Sequence, residues 1–430
     1  WAMDGSDPAA WYASTASARE FALEGGGPTL IHVETMRGCG HAHHHDDLYL
    51  GNESGTPPGY VDRELLAYWE AKDPLPTHRQ LLLDLGLEES KLADMEEVEQ
   101  RDIDAARQEL EDMAWPEPES VTKGVTSLND AETHEERFNR LSTVSDAEYP
   151  SSPLDVGVTA LTYAEKGGWT YARSIQQAMA DIATRHGEDC MFIGEDMEVA
   201  GAFGMNMALK NAGHTDKLID MPLCEAAIVH TGVGAALSGM RPMVEIQFGG
   251  FAALGFNALL NNAAMLRWRW GAECPMTIRI PLGARTRSGP FHANMIESWF
   301  ANDPGLVVVA AGTPQDAYDL LMESAELNDP VLFLEHIGLY GLRGGLTGWG
   351  QNINQNVDTE TVQQAIAKGE RYKLGKAAVV RGGRDVTLVT WGSMLHVAQQ
   401  AAEELAREDI EVEIVDLRTL LPFDAQTCIE

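Results

Sequence analysis

The chain has 430 residues, with 66 acidic against 31 basic side chains, a formal net charge of -35 at pH 7 and a pI of about 4.6. This charge argues against nucleic acid or an anionic membrane as a partner. No apolar run approaches the roughly 20 residues that a membrane-spanning helix needs, and the length suffices for two or three domains.

The first residues and the cysteines bear on the compartment. Residues 1–4 have neither the basic start nor the apolar stretch of a signal peptide. The five cysteines are scattered and form no Cys-x-x-Cys pair, which favours reduced thiols in a cytoplasmic protein. The chain starts without Met and stops soon after a predicted strand. We therefore expect a fragment of a longer protein, located in the cytoplasm.

The first region ends in a His-rich loop. Residues 8–24 have the pattern of a helix, and residues 29–35 are predicted as a buried strand because of their length and β-branching. The following loop has four His and two Asp in residues 41–47. Imidazole and carboxylate suit zinc or iron, but adjacent His side chains cannot all converge on one ion. Metal binding by this loop stays an alternative, and we assign no metal ligand.

Two charged helices and a linker come next. Residues 63–85 and 88–113 are predicted as amphipathic helices. Residues 114–167 are rich in acidic residues and contain Pro and Ser clusters, which is typical of a solvated linker. We therefore expect residues 1–113 to form the first domain and residues 114–167 to form an acidic linker.

Strand and helix patterns alternate through the second unit, which predicts an α/β domain with a parallel sheet flanked by helices at residues 168–345. The predicted helices are 171–186, 226–237, 252–269 and 314–327, and the predicted strands are 191–196, 217–220, 242–248, 276–281, 307–311 and 330–335. Residues 346–373 are predicted as an irregular connection. Residues 374–430 repeat a strand–helix–strand pattern and are predicted as part of a further α/β domain.

One carboxylate in this unit, Glu225, lies at the predicted start of a helix. Glu225 follows a short strand and a Pro turn and opens a helix that is rich in small residues. An acid in the first turn suits the positive end of the helix dipole. Gly232 and Gly234 let the helix approach another backbone closely. Taken alone, the pattern fits a tightly packed core helix as well as a site.

The surroundings of Glu225 resemble the beta subunit of the thiamine-diphosphate-dependent 2-oxo acid dehydrogenases, of the pyruvate, branched-chain and acetoin types. The family pattern is Pro-Leu/Ile-Ser-Glu, a helix, Arg-Pro and then Glu-Ile-Gln-Phe. Residues 222–225, 241–242 and 245–248 match it, with Cys224 in place of the Ser. Residues 416–424 match the opening half of the family's C-terminal domain.

Residues 27–74 resemble the end of the alpha subunit of the same family, through Gly-Pro-x-Leu-Ile, Glu-x-x-Arg, Gly-His, Asp-Asp and Asp-Pro in that order. Ala42 stands where mitochondrial members have a phosphorylated Ser, and Leu50 stands where the family has Arg. Kinase control at residue 42 is therefore not available. The resemblance covers about residues 28–113 and 168–430 and implies a fused alpha and beta architecture.

The resemblance implies cofactor contacts for four residues. Glu225 would bind a ring nitrogen of the aminopyrimidine and activate the cofactor, Phe251 would stack on that ring, and Leu223 would touch its apolar face. Glu195 would belong to an acidic chain between paired active sites. The alternative for Phe251 and Leu223 is a core position, and the alternative for Glu195 is an acid that ends a strand.

The resemblance also implies substrate contacts for three residues. His41 would lie near the cofactor's diphosphate and the substrate, and Arg37 would bind the substrate. His292, in a Gly/Pro loop beyond a strand, would act near the substrate during acyl transfer. For His292 the alternative is an ordinary surface loop.

The implied fold is the thiamine-diphosphate-binding (transketolase-like) α/β fold, with a partial transketolase C-terminal-like domain. The implied reaction is oxidative decarboxylation of a 2-oxo acid, pyruvate or branched-chain, with acyl transfer to the lipoyl group of a dihydrolipoyl acyltransferase. Thiamine diphosphate and Mg²⁺ would be the cofactors, in a homo-oligomer with the cofactor at a subunit interface.

The family's Gly-Asp-Gly motif for Mg²⁺ and the diphosphate does not occur in these residues. We expect it before Trp1, and we expect the fragment alone to be inactive. Three alternatives stay open. The first is carbon transfer of the transketolase or deoxyxylulose-phosphate-synthase kind. The others are a non-catalytic metal-binding module that uses the His-rich loop and a non-catalytic assembly unit.

Overall fold

The structure is a computed structural model, and it describes residues 1–40, 46–52, 59, 61–117, 120, 157–199, 203–284, 289–341 and 353–429. The chain divides into two compact units, Trp1–Trp115 and Pro116–Glu430. No helix in the described ranges is long and apolar enough to cross a membrane.

The first unit is mainly helical. Its described part has five α-helices: α1 Pro8–Leu23, α2 Asp46–Leu50, α3 Arg63–Glu70, α4 Pro74–Asp84 and α5 Glu89–Asp112. The predicted helix over residues 63–85 is two helices, α3 and α4. Asp73 and Pro74 cause the break, because Pro is excluded from a helix interior and the Asp73 carboxylate accepts the Leu75 N–H as a new helix start.

The predicted buried strand at residues 29–35 is wrong in length and in burial. β2 covers only His32–Glu34 and pairs in parallel with β1, Ala2–Asp4. Leu30 is 85% exposed. A two-stranded pair shields little surface, so apolar residues beside it stay in water.

The second unit is built from alternating strands and helices. Its described part has ten strands: β3 Cys190–Gly194, β4 Leu218–Asp220, β5 Arg241–Glu245, β6 Thr277–Leu282, β7 Val307–Val309, β8 Val331–His336, β9 Ala378–Arg381, β10 Val386–Thr390, β11 Val412–Asp416 and β12 Thr419–Leu421. The same part has nine α-helices: α6 Tyr171–His186, α7 Met207–Asn211, α8 Glu225–Leu237, α9 Leu266–Trp270, α10 Glu297–Phe300, α11 Pro314–Glu326, α12 Glu360–Ala367, α13 Met394–Leu405 and α14 Ala425–Ile429.

The predicted α/β fold is confirmed. Seven strands form the main sheet in the order β12-β7-β8-β6-β5-β3-β4. All neighbouring pairs are parallel except β12 with β7. A second sheet has the order β10-β11-β9, with β9 antiparallel. The edge strand β12 therefore makes the main sheet mixed.

The main sheet is buried on both faces, which explains its apolar strands. Phe192 belongs to the hydrophobic cluster on one face, together with side chains of α6 and α11. Its neighbour Ile193 belongs to the cluster on the other face, with side chains of α8. Successive strand residues point to opposite faces, and a sheet covered on both sides needs apolar residues at both positions.

Two further predictions are wrong. The helix predicted at residues 252–269 consists of a 3₁₀ segment Gly249–Gly255, a π turn Ala258–Asn262, a short 3₁₀ turn and then α9. The Asn262 side chain donates to the Asn257 carbonyl oxygen at 3.3 Å, a local hydrogen bond that competes with the regular helix.

The connection predicted as irregular at residues 346–373 contains α12. Val362 and Ile366, one helical turn apart, are both buried. The Asp358 carboxylate accepts the N–H of Glu360 at 2.8 Å and so starts the helix. The Gly, Asn and Gln content of the region hid this short amphipathic pattern.

Candidate active site at the switch point of the main sheet

The order of the strands marks one crevice of the main sheet. β3 pairs with β4 on one side and with β5 on the other. The chain therefore moves first in one direction along the sheet and then in the opposite direction. In open α/β sheets, ligands bind outside the carboxyl ends of the strands at such a switch point. Glu195 follows β3, and the segment with Phe248 and Phe251 follows β5.

Glu225 is the first residue of α8 and is only 6% exposed. Cys224 lies at the N-cap without a capping hydrogen bond from its side chain. The carboxylate therefore occupies the positive end of the helix, as predicted. The predicted close approach of α8 holds at Gly232, where a Cβ atom would lie 2.6 Å from a Val244 methyl group. At Gly234 the same atom would meet open space.

Glu195 is a second buried carboxylate at this crevice. It is 4% exposed, and its Oε1 atom makes no hydrogen bond among the described residues. Burial, followed by the nearby charges of Glu225 and Asp196, raises the pKa of Glu195 to about 7. A carboxyl group with this pKa can hold or release a proton near neutral pH, which is what acid–base chemistry requires.

The loop that carries Glu195 is tied to both neighbouring strands. Asp196 has a φ of 56°, in the left-handed region that non-glycine residues rarely adopt. The Gln247 side-chain amide donates to Asp196 Oδ2 at 3.2 Å, and the Met197 N–H donates to Asp220 Oδ1 at 3.1 Å. These contacts hold the backbone in a costly conformation, which is frequent at functional sites.

His292 lies against two aromatic rings. Its ring centre is 4.6 Å from Phe248 and 5.5 Å from Phe251, edge to face in both cases. The Nδ1 atom is buried and makes no hydrogen bond in the part of the chain that the structure describes. The structure thus brings together His292 and Phe251, which the sequence analysis assigned to one site.

Two glycines allow this close approach. A Cβ atom at Gly250 would lie 2.5 Å from Asn294 Oδ1, and one at Gly249 would lie 3.0 Å from the Asn294 carbonyl oxygen. The segment after β5 and the loop that carries His292 can therefore meet only because these residues have no side chain. The two glycines are part of the site, although they touch no reacting group.

Leu223 is 85% exposed, so the alternative of a core position is wrong for this residue. Its contact with the cofactor stays a prediction. Phe251 is half-buried and packs against the core cluster beneath α8. For Phe251 the core position and the cofactor contact are thus compatible, because one face of the ring can rest on the core.

The first unit carries the other predicted residues. His41 and the remainder of the His-rich loop, residues 41–45, lie outside the described residues. Arg37 is exposed, its Nε donates to the Cys39 carbonyl oxygen at 2.9 Å, and its guanidinium lies 5.5 Å from the centre of the Tyr49 ring. Within the described ranges, no group of three or more His, Cys, Asp and Glu could hold a metal ion.

The sequence analysis missed a buried ion cluster beside the crevice. Arg279, on β6, is fully buried and donates to Glu245 on β5 at 2.7 Å and to both oxygens of Glu335 on β8 at 2.6 and 2.8 Å. Burial raises the pKa of Glu245 against the lowering effect of Arg279. A charged residue within or at the end of each of three otherwise apolar strands was the available signal.

An aromatic row connects this cluster with His292. The Tyr340 hydroxyl donates to Glu335 Oε2 at 2.5 Å. The Tyr340 ring lies 5.4 Å from Phe203, and Phe203 lies 5.6 Å from Phe248, which contacts His292. The ion cluster and the His292 ring are thus connected through the rings of Tyr340, Phe203 and Phe248.

Three family models match the chain. "Dehydrogenase E1 component" matches residues 2–119, "Transketolase, pyrimidine binding domain" matches residues 168–342, and "Transketolase, C-terminal domain" matches residues 375–430. The 2-oxoisovalerate dehydrogenase subunit beta of Bacillus subtilis is 35% identical over 264 residues, which are 61% of this chain and 75% of that protein. The chain belongs to the E1 components of the 2-oxo acid dehydrogenases.

Other members of the family are similar to the same extent. The acetoin:2,6-dichlorophenolindophenol oxidoreductase subunit beta of Cupriavidus necator is 41% identical over 55% of this chain and 65% of its own length. The pyruvate dehydrogenase E1 component subunit beta of Bacillus subtilis is 36% identical over 57% of this chain and 71% of its own length. The chain thus spans less than two thirds of the length of the acetoin relative.

The resemblance predicted from sequence is confirmed, including the fusion of an E1 dehydrogenase region with pyrimidine-binding and C-terminal transketolase regions. A solved structure described as "Split gene transketolase, inactive beta4 tetramer" matches 61% of this chain and 76% of that chain, with a TM-score of 0.44 and 17% identity. That likeness is too low to support an argument.

Proposed function

We propose that this chain takes part in the oxidative decarboxylation of a 2-oxo acid, pyruvate or branched-chain, with transfer of the acyl group to the lipoyl group of a partner dihydrolipoyl acyltransferase. The observation that carries the proposal is the buried pair Glu225 and Glu195 at the switch point, where burial and then the charge of Glu225 raise the pKa of Glu195. Family membership supports it, because the related beta subunits are named for dehydrogenases of these acids.

The described residues suit the aminopyrimidine part of thiamine diphosphate. Among the described residues, a buried carboxyl oxygen of Glu195 and the buried Nδ1 of His292 have no hydrogen-bond partner, and the ring of Phe251 is only half-buried. Such a set can bind a flat ring that carries both donors and acceptors. When bound, the cofactor would supply the nucleophile and the electron sink of the reaction. We assign no residue of the chain to Mg²⁺.

Glu225 and Glu195 would control the protonation of this ring. Glu225 would hydrogen-bond a ring nitrogen from the start of α8, where the helix dipole favours its negative charge. Glu195, with a pKa of about 7, would accept or return a proton near neutral pH. Leu223 and Phe251 would contact the ring from its apolar side.

His292 would bind the substrate or the lipoyl group, held in place by Phe248 and Phe251. As the resemblance implies, His41 would lie near the cofactor's diphosphate and the substrate, and Arg37 would bind the substrate. Leu223 before α8, Leu237 at its end and Leu254 in the segment Gly249–Gly255 are exposed, which supports a homo-oligomer in which a second copy covers apolar side chains. We propose a cytoplasmic location for the assembly.

The test measures decarboxylation of a panel of 2-oxo acids by the complete protein that contains this chain, with thiamine diphosphate and Mg²⁺. The 430 residues alone are expected to be inactive. Glu225→Gln should reduce kcat by about 100-fold or more, since it removes a proton-transferring group. Glu408→Gln, at an exposed carboxylate, is the matched control and should leave kcat unchanged.

The acid that is turned over fastest would identify the substrate. Undiminished turnover by Glu225→Gln would contradict the proposed role. Cofactor binding without turnover of any 2-oxo acid, together with transfer of two-carbon units between sugar phosphates, would move the assignment to a transketolase-like reaction.

A further inference from the structure

The main sheet has a second place where the chain reverses its direction. From β6 the chain passes the position of β8 to form β7, and it then returns to form β8 between the two. Right-handed crossovers in opposite directions lie on opposite faces of a sheet, so a crevice opens where they diverge. A cavity of about 260 Å³ lies there, at the carboxyl ends of the three strands.

The walls of this cavity are mostly apolar. Leu282 and Leu334, at the carboxyl ends of β6 and β8, contribute from the sheet. Met295 and Met394 contribute thioether side chains from two different segments and are about half exposed. Methionine side chains adapt to ligands of different shape. The lining thus suits a small hydrocarbon body.

Ser298, Ser393 and His336 also line the cavity, and Glu297 is its carboxylate and Trp391 its indole. Glu297, the first residue of α10, is 8% exposed, and its Oε1 accepts the Trp391 Nε1–H at 3.2 Å. No Lys or Arg among the described residues forms an ion pair with Glu297. A carboxylate can accept several hydrogen bonds, so it has room for a further donor. Trp391 is 37% exposed beside it.

These features select the charge of the ligand. A partly buried carboxylate favours a cation and repels an anion. An indole ring attracts an ammonium group through its π electrons. The net charge of -35 raises the local concentration of cations further. The cavity is thus unsuited to 2-oxo acids, and neither His292 nor Glu225 belongs to its lining.

We propose that this cavity is a binding site for a small organic cation, an alkylammonium of about five carbon atoms, the size that such a small pocket can enclose. The ammonium group pairs with Glu297 and rests on Trp391, while the alkyl chain lies among the Met and Leu side chains. Glu297 belongs to the connection between β6 and β7, and Trp391 follows β10 of the smaller sheet. The ligand therefore bridges these two parts of the second unit. This inference does not depend on the proposed reaction.

The test is calorimetric titration of the chain with three compounds of one carbon skeleton: 3-methylbutylammonium, 3-methylbutanol and 3-methylbutanoate. The ammonium compound should bind about 10-fold more tightly than the alcohol, and the carboxylate should not bind. Glu297→Gln keeps an acceptor for Trp391 but removes the charge, so it should reduce ammonium affinity to that of the alcohol. Trp391→Leu should weaken ammonium binding about 5-fold.

Glu413→Gln changes the net charge equally at a distant strand of the smaller sheet and should leave the affinity unchanged. The thermal unfolding midpoint of each variant verifies that it is folded. Equal binding of ammonium and alcohol, or undiminished binding by Glu297→Gln, would overturn the proposal. Displacement of the amine by an equal concentration of K⁺, with no binding of the alcohol, would also overturn it, because the cavity would then select charge alone.

Discussion

Two neighbouring strands of the main sheet bury a carboxylate in opposite ways. Glu245 is the last residue of β5 and accepts a hydrogen bond from Arg279 at 2.7 Å. Glu195 directly follows β3, and its Oε1 accepts no hydrogen bond from the described residues. Both residues are buried. Burial alone therefore does not separate a structural carboxylate from a reactive one, whereas the presence or absence of a cation partner does.

The largest effect should follow removal of the cation. Arg279→Met leaves Glu245 and Glu335 buried without a cation, although Tyr340 still donates to Glu335, and should lower the free energy of unfolding by about 3–5 kcal/mol. Urea denaturation of the variant and the parent measures this difference in the free energy of unfolding. Arg384→Met is the control, because Arg384 pairs with Glu411 at the surface and should cost at most about 1 kcal/mol. Equal costs for the two variants would show that the buried cluster contributes no more than a surface pair.

Substitution of Glu195 should have a smaller effect, and at high pH it should raise the stability instead of lowering it. Its folded-state pKa of about 7 lies above its ordinary value of 4.5, so the folded protein binds the proton more tightly than the unfolded chain. The carboxyl group therefore destabilises the fold increasingly as the pH rises from about 4.5 to about 7. Glu195→Gln should be more stable than the parent at pH 8 by about 1–2 kcal/mol and nearly equal to it at pH 4.5.

Unfolding curves at the two pH values measure this difference. Glu198→Gln lies in the same loop at an exposed position and should show no such pH dependence. If Glu195→Gln is no more stable than the parent at pH 8, the Glu195 carboxylate is well solvated in the folded protein. That result would contradict the burial of Glu195 in the structure.

The smallest effect concerns the aromatic wall. Phe248→Leu removes the ring that faces His292 at 4.6 Å and should cost about 1 kcal/mol of stability. It should also shift the His292 ring-proton resonances, because the ring current of Phe248 is lost. Phe256→Leu removes a ring that faces Phe300 instead and should leave the His292 resonances in place. Unchanged His292 resonances in Phe248→Leu would mean that the two rings are not in contact.

The sequence predicted the fold well because its signals are local. Apolar runs of strand length predicted β3, β6 and β8, and Glu225 was placed correctly at the start of a helix. The segment at residues 249–270 was beyond such reasoning, since its π and 3₁₀ turns depend on asparagine hydrogen bonds. The family and its fused architecture were also predicted correctly, because ordered motifs carry more information than any single pattern.

The arrangement of the site was only partly predictable. Residue types near Glu225 and His292 pointed to a site, but the meeting of His292 with Phe248 depends on two glycines that allow distant segments to touch. The partnership of Arg279 with Glu245 and Glu335 depends on the order and register of β5, β6 and β8. Strand register is a property of the tertiary fold, and a single sequence does not contain it in readable form.

The strand β12 gives a structural reason for joining the pyrimidine-binding and C-terminal regions in one chain. It belongs to the part of the chain that matches the C-terminal transketolase domain, yet it lies at the edge of the main sheet beside β7. The hydrogen bond from the Ala310 N–H to the Arg418 carbonyl oxygen, at 2.8 Å, extends this seam. An uncovered edge strand recruits strands from other molecules. If the chain were divided near residue 374, the main sheet would lack β12. The unpaired edge of β7 would then be open to pairing with strands of other molecules until β12 bound to it again.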